Sequence, residues 1–159
     1  MADMAITWRD AEQADLPTIV AMLADDDLGA TREAAGDGGA LDAVPAAYLQ
    51  AFQAIAADPN NRLLVACRGA EILGTFQLTY IPGLSFMGGT RAQIEAVRVH
   101  RRARGQGIGG QMIAWAIEEA RRHGCRMVQL TSNKMRVDAI RFYEGLGFQA
   151  THEGFKLYL

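Results

Sequence analysis

Several things are scarce in this chain, and each scarcity closes off a class of function. Cysteine occurs twice, at Cys67 and Cys125. That spacing matches no metal or redox motif, so both read as reduced thiols of a cytosolic protein. Histidine occurs three times, and His100, His123 and His152 form no ligand-like pattern; no metal is expected. No apolar run approaches the roughly 18 residues that a membrane span needs. The start, Met1-Ala2-Asp3-Met4, lacks the basic and apolar regions of a secretory signal. A basic excess is also missing: the formal charge is −2 and the pI about 5.9, which argues against a general affinity for nucleic acid. Repeats and low-complexity tracts are absent.

What remains is ordinary globular composition, half of it apolar, in 159 residues. One domain spanning 1–159 with a single core is expected, in the cytoplasm. The sixteen basic residues, nearly all arginine, are clustered, which makes them local devices. Residues 6–9 read as a strand, and Asp15-Leu16-Pro17 starts a helix with a cap and a first-turn proline. Residues 25–44 are rich in aspartate, glycine and alanine and read as a mobile loop with some helix. A helix over 45–57 follows, then a turn at Asp58-Pro59-Asn60-Asn61. Strands at 63–67 and 71–80 join across Arg68-Gly69 as a hairpin. A second tip lies between Pro82-Gly83 and Gly88-Gly89 and leads into a strand over 91–99. A helix is predicted over 108–123, ending in cations and Gly124. A strand over 127–131, a helix over 137–144 and two short strands within 148–159 complete the order. The hairpins require antiparallel pairs and the strand–helix–strand unit a parallel one, so a mixed sheet covered by helices follows.

The most telling stretch is Arg101-Arg102-Ala103-Arg104-Gly105-Gln106-Gly107-Ile108-Gly109-Gly110, set between a strand and a helix. Glycines let backbone approach a ligand closely, and the first helical turn offers N–H groups without partners. A phosphate or pyrophosphate is the natural guest. Gly105, Gly107 and Gly110 satisfy G-x-G-x-x-G, but five residues separate the strand from the first glycine. No acid stands near Leu130, Thr131 or Ser132, and only 49 residues follow Gly110. A dinucleotide fold is therefore set aside. A Walker A loop fails for want of Gly-Lys-Ser/Thr.

The spacing Arg104-x-x-Gly107-x-Gly109 resembles the acyl-CoA pyrophosphate loop of the GNAT superfamily of acyl-CoA-dependent N-acetyltransferases. Glu95-Ala96-Val97-Arg98-Val99 is similar to that family's fourth strand, and Leu130-Thr131-Ser132-Asn133 to the end of its fifth. Ala139-Ile140-Arg141-Phe142-Tyr143-Glu144-Gly145-Leu146-Gly147-Phe148 resembles its A-x-x-F-Y-x-x-x-G-F helix. The resemblance implies an α/β fold of the α+β mixed-sheet kind, with about seven strands flanked by four helices. It also implies acetyl-CoA as cosubstrate, with the pyrophosphate on the amides of Gln106, Gly107, Ile108, Gly109 and Gly110, Gly105 binding the cofactor in the same loop and Arg104 as a charged support. The backbone of Val97, Arg98 and Val99 would pair with the pantetheine, and Val97 N–H would meet the thioester oxygen.

Glu95 stands inside an apolar strand, where a charge is costly unless functional or paired. By period two it would share a face with Val97 and Val99. The resemblance makes it a general base acting through water; a structural salt bridge is the rival. Tyr143 falls where members place the tyrosine that protonates the departing thiolate, or it is a core tyrosine. Asn133 contacts cofactor or substrate, or forms a turn. Trp115 reads as core, and Arg101 and Arg102 as a solvated face. The implied reaction is acetyl transfer to a primary amine, on a small molecule in preference to a protein, with no nucleic-acid or membrane partner and a homodimer left open. A non-catalytic acyl-CoA-binding or regulatory domain is the alternative. Acids at 25–27, 33, 37 and 42 would draw a cationic acceptor if their loop borders the pocket.

Overall fold

Apolar residues at every second position set up a sheet whose faces are each covered by helix. The structure, a computed structural model, describes residues 5–25, 29–30 and 44–159. These fall into two compact units, one up to Gln129 and one over Leu130–Leu159. In chain order the elements are β1 (Thr7–Asp10), α1 (Leu16–Ala24), α2 (Ala46–Ala57), β2 (Asn61–Arg68), β3 (Glu71–Ile81), β4 (Arg91–Val99), α3 (Ile108–Arg122), β5 (Met127–Leu130) and α4 (Val137–Gly145). The sheet order is β1-β2-β3-β4-β5. The first three pairings are antiparallel. β5 runs the other way: Arg126 N–H donates to Thr90 O at 2.7 Å, and three residues on, Gln129 bonds Gln93. Contacts that advance together along both strands mark a parallel pair.

Alternation on β3 separates the two layers. Phe76, fully buried, faces α3 and meets Trp115 edge-on, with ring centroids 6.1 Å apart. Trp115 also stacks on Trp8 at 5.7 Å, in agreement with its reading as a packing residue. α3 buries Ile108, Met112, Ala116 and Ala120, one residue per turn, together with Ile113. Gly74 permits this approach, since a Cβ there would lie 2.6 Å from Met112 Sδ and 2.9 Å from Arg98 O. On the opposite face Ile19 and Met22 of α1 pack on Val65 and Cys67 of β2. Burial raises the thiol pKa of Cys67 and of Cys125, and both are free. Arg9 clamps Asp15 through two bonds, of 2.6 and 3.0 Å, ahead of α1. That contact holds the Asp15 carboxyl below its ordinary range. Its contribution to stability is therefore complete above about pH 4 and is lost as pH falls through the lowered native value.

Among the described residues the sheet has five strands, not about seven. The two strands expected within 148–159 are not formed. A strand exists only by pairing with another backbone, and no described segment pairs with this one. Helix positions agree with the sequence pattern to within a residue or two. The acids at 26, 27, 33, 37 and 42 lie outside the described residues.

Candidate functional site

β4 changes character midway. Its first residues alternate, with Ala92 and Ile94 buried, and β5 lies alongside them. β5 ends at Leu130, so among the described residues the second half of β4 has a strand neighbour only on its β3 side. Glu95 and Ala96 are exposed there. The register explains part of this. Gln77 faces Glu95 and Thr75 faces Arg98, so Ala96 and Val97 together oppose Phe76 alone. This is a β-bulge, and Ala96 takes φ 53° to make it. Bulges bend a strand and re-aim its side chains. The period-two grouping of Glu95 with Val97 and Val99 is corrected accordingly: past the bulge it is Arg98 that comes into register with Thr75.

The Glu95 side chain makes no ion pair with any described residue, so the rival reading as a structural salt bridge finds no partner there. The carbonyls of Val97 and Val99 accept from Arg98 Nη1 at 2.9 Å and from Arg104 Nε at 3.3 Å. Both arginine groups are thus parked on the backbone that the sequence assigns to pantetheine pairing.

The loop after β4 is anchored before it opens. His100 N–H donates to Leu73 O at 2.8 Å, and His100 Nδ1 accepts from Arg102 N–H at 3.2 Å. Ala103 is buried. Gly105 and Gly107 then take φ 75° and 76°, a region that costs other residues about 1–2 kcal/mol. Gly107 caps α3 without a side chain to cover the helix end. The first helical bond runs from Gln111 N–H to Gly107 O, so the N–H groups of Ile108, Gly109 and Gly110 have no partner within the helix. A Cβ on Gly107 or Gly110 would meet nothing within 4 Å. An uncapped helix start facing open space, with the dipole behind it, is suited to a phosphate. The Gln106 side chain donates to Arg102 O at 2.8 Å and stays within the loop.

Arg104 is held elsewhere. Its Nη2 lies 2.9 Å from Asp25 Oδ2, and Arg101 reaches Oδ1 of the same carboxylate at 3.5 Å. Asp25, read from sequence as one of a group of acids that would draw a cationic acceptor, is therefore paired with arginine in its own surroundings. Arg102 pairs with Glu71 at 3.4 Å. Sequence reasoning missed these pairs because partners far apart in the chain, 79 residues for Arg104 and Asp25, leave no spacing signal.

The C-terminal unit carries the other two candidates. Tyr143 lies half-buried on α4, edge-on to Phe142 at 5.1 Å and to Phe148 at 6.0 Å. Asn133 Oδ1 accepts Met135 N–H at 2.9 Å, and its carbonyl accepts Arg136 N–H at 2.9 Å. Asn133 thus shapes the turn into α4. Among the described residues no three His, Cys, Asp or Glu side chains gather as a metal would require.

Comparison with known proteins identifies the family. Residues 25–148 match the acetyltransferase (GNAT) family. The chain belongs to that family. It is 35% identical over 109 residues to the aminoalkylphosphonate N-acetyltransferase of Salmonella typhimurium, covering 67% of this chain and 68% of that one. A solved structure of a transcriptional regulator from Bacillus halodurans C-125 is 50% identical and superposes with a TM-score of 0.89, over 98% of this chain and 100% of the other. A Trypanosoma brucei acetyltransferase is 25% identical with a TM-score of 0.75, over 98% and 100% of the two chains. As a GNAT acetyltransferase the protein is an acyltransferase, in a family that uses acetyl-CoA.

Proposed function

We propose that this acetyltransferase moves acetyl from acetyl-CoA to the primary amine of a small molecule by direct attack in a ternary complex, working in the cytoplasm as one domain over 1–159. The observation that carries the reading is the uncapped start of α3, open in front, one loop after the half of β4 that has, among the described residues, no strand on one side. Those residues suit the cosubstrate: amides from Gly105 to Gly110 for pyrophosphate, and the backbone of Val97, Arg98 and Val99 for an extended amide chain. Arg104 would exchange Asp25 for phosphate. Asn133 would support the cosubstrate from its turn.

Bound acetyl-CoA supplies an activated acetyl thioester. The chain's own residues supply the rest. Glu95, exposed and without an ion-pair partner among the described residues, accepts the amine proton directly or through water, since only the neutral amine attacks. Val97 N–H is the donor for the oxygen that gains charge. Tyr143 supplies a proton to the sulfur. A small-molecule acceptor is supported by the relative that is an aminoalkylphosphonate N-acetyltransferase. A homodimer is part of the same proposal. Light scattering should give twice the chain mass.

A regulatory, non-catalytic reading has one observation behind it, the 50% identity to a transcriptional regulator. Thiol release from acetyl-CoA across an amine library, with products read by mass spectrometry, separates the two. Turnover of at least one amine is expected; acetyl-CoA binding without turnover of any would favour regulation. Gly107→Val should abolish acetyl-CoA binding, because the new side chain enters the open space at the helix start. Tyr143→Phe should lower kcat by about 10²-fold with acetyl-CoA affinity kept.

A further inference from the structure

Between the sheet and the α1 and α2 helices lies a cavity of about 130 Å³. Ile19, Val20 and Leu23 of α1, Phe52 and Ile55 of α2 and Ala96 of the β4 bulge give it an apolar wall, and no charged residue lines it among those described. Its polar groups from β3 are already engaged. Thr75 Oγ1 donates to Leu64 O at 2.9 Å, and Gln77 Nε2 donates to Asn61 Oδ1 at 2.9 Å. Water gains little in such a space, whereas a hydrocarbon gains the full transfer free energy. The size is informative: an apolar protein cavity of about 150 Å³ accommodates benzene.

The position is equally informative. Gln77, on the wall, is the cross-strand partner of Glu95, and Ala96, also on the wall, follows Glu95 in the chain. Directly opposed residues of an antiparallel pair project to the same face, so the cavity adjoins Glu95 on its own side of the sheet. α2 shows the counterpart of this vacancy: it has no buried residue, although Tyr48, Phe52 and Ile55 all face the cavity. A helix laid over an unfilled apolar space gains burial when that space is filled.

We propose that this cavity is a hydrocarbon subsite for the acceptor, taking an alkyl or aryl group of about four to six carbons while the amine stands at Glu95. The assignment rests on the acetyl-transfer reading and gives it a substrate class: amines with an apolar body. Affinity for the acceptor then grows with buried methylenes, since the wall is mostly apolar and no charged side chain lines it among the described residues.

The test is a series of n-alkylamines from ethylamine to hexylamine, each assayed with acetyl-CoA. The ratio kcat/KM should rise about three- to fourfold per methylene and level off at four to six carbons. Ala51 lines the same cavity from an exposed helical position, and leucine is a good helix former. Ala51→Leu should therefore fold and cut the hexylamine-to-ethylamine ratio about tenfold or more. Calorimetric titration with 1-hexanol, without acetyl-CoA, gives a readout independent of turnover: saturable binding in the wild type, about tenfold weaker in Ala51→Leu.

A flat amine series with measurable transfer would overturn the subsite and leave the acetyltransferase reading standing. A length dependence on the acyl chain of the acyl-CoA, absent from the amine, would overturn the assignment to the acceptor. Saturable 1-hexanol binding weakened by Ala51→Leu, with no amine acetylated, would uphold the cavity and sink the acetyl-transfer reading. Failure of both readouts overturns the proposal.

Discussion

Residues 91–94 and 95–99 are consecutive stretches of β4, yet the first is built to be covered and the second to be reached. Along the first, Ala92 and Ile94 are buried and β5 supplies a neighbour. The second has a bulge in place of clean alternation, exposes Glu95 and Ala96 and, among the described residues, has β3 alone for a strand partner. The same strand thus serves as a core element and as the rim of a site, and the change falls at one residue in the left-handed region, Ala96. Strain of that kind persists where the surrounding structure over-determines it, often beside a functional site.

If this division is right, adjacent substitutions should have opposite effects. Glu95→Gln should lower kcat/KM on the order of 10²-fold or more, chiefly at low pH, where few acceptor amines are already neutral. Stability should move by no more than about 0.5 kcal/mol, as for a surface change. A small, pH-independent loss would return Glu95 to a structural role.

Much of this contrast was legible in the sequence, and the part that was not has a physical reason. The bounds of β4, the glycine loop and the start of α3 follow from alternation and from glycines between strand and helix. The bulge was hidden because alanine occupies the position where glycine or asparagine would have signalled positive φ. The Arg104–Asp25 pair was hidden because it is purely tertiary. The two strands expected within 148–159 fall on a stretch where Phe155, Leu157 and Leu159 alternate with other residues. That pattern reports the capacity to pair but says nothing of what supplies the partner.

One residue earlier, Ile94→Ala should cost about 2–5 kcal/mol in urea unfolding, as for a fully buried aliphatic side chain. Folded variant should bind acetyl-CoA as the wild type does. A loss of affinity with stability kept would mean that the division falls earlier than Glu95.

The smallest effect belongs to the hinge between the halves. Ala96→Gly relieves left-handed strain of about 1–2 kcal/mol against an entropic cost of about 0.5–1 kcal/mol. A net stabilisation of about 0.5 kcal/mol is expected in thermal unfolding. Destabilisation by more than that would show that Ala96 is held by its methyl contacts in the cavity wall.

Amide hydrogen exchange on the wild-type protein, with and without acetyl-CoA, tests the division most directly. The second half of β4 and the start of α3 should gain protection, at Val97, Val99, Ile108, Gly109 and Gly110, while Ala92 and Ile94 exchange at unchanged rates. Protection confined to other segments, or spread evenly along β4, would contradict the account.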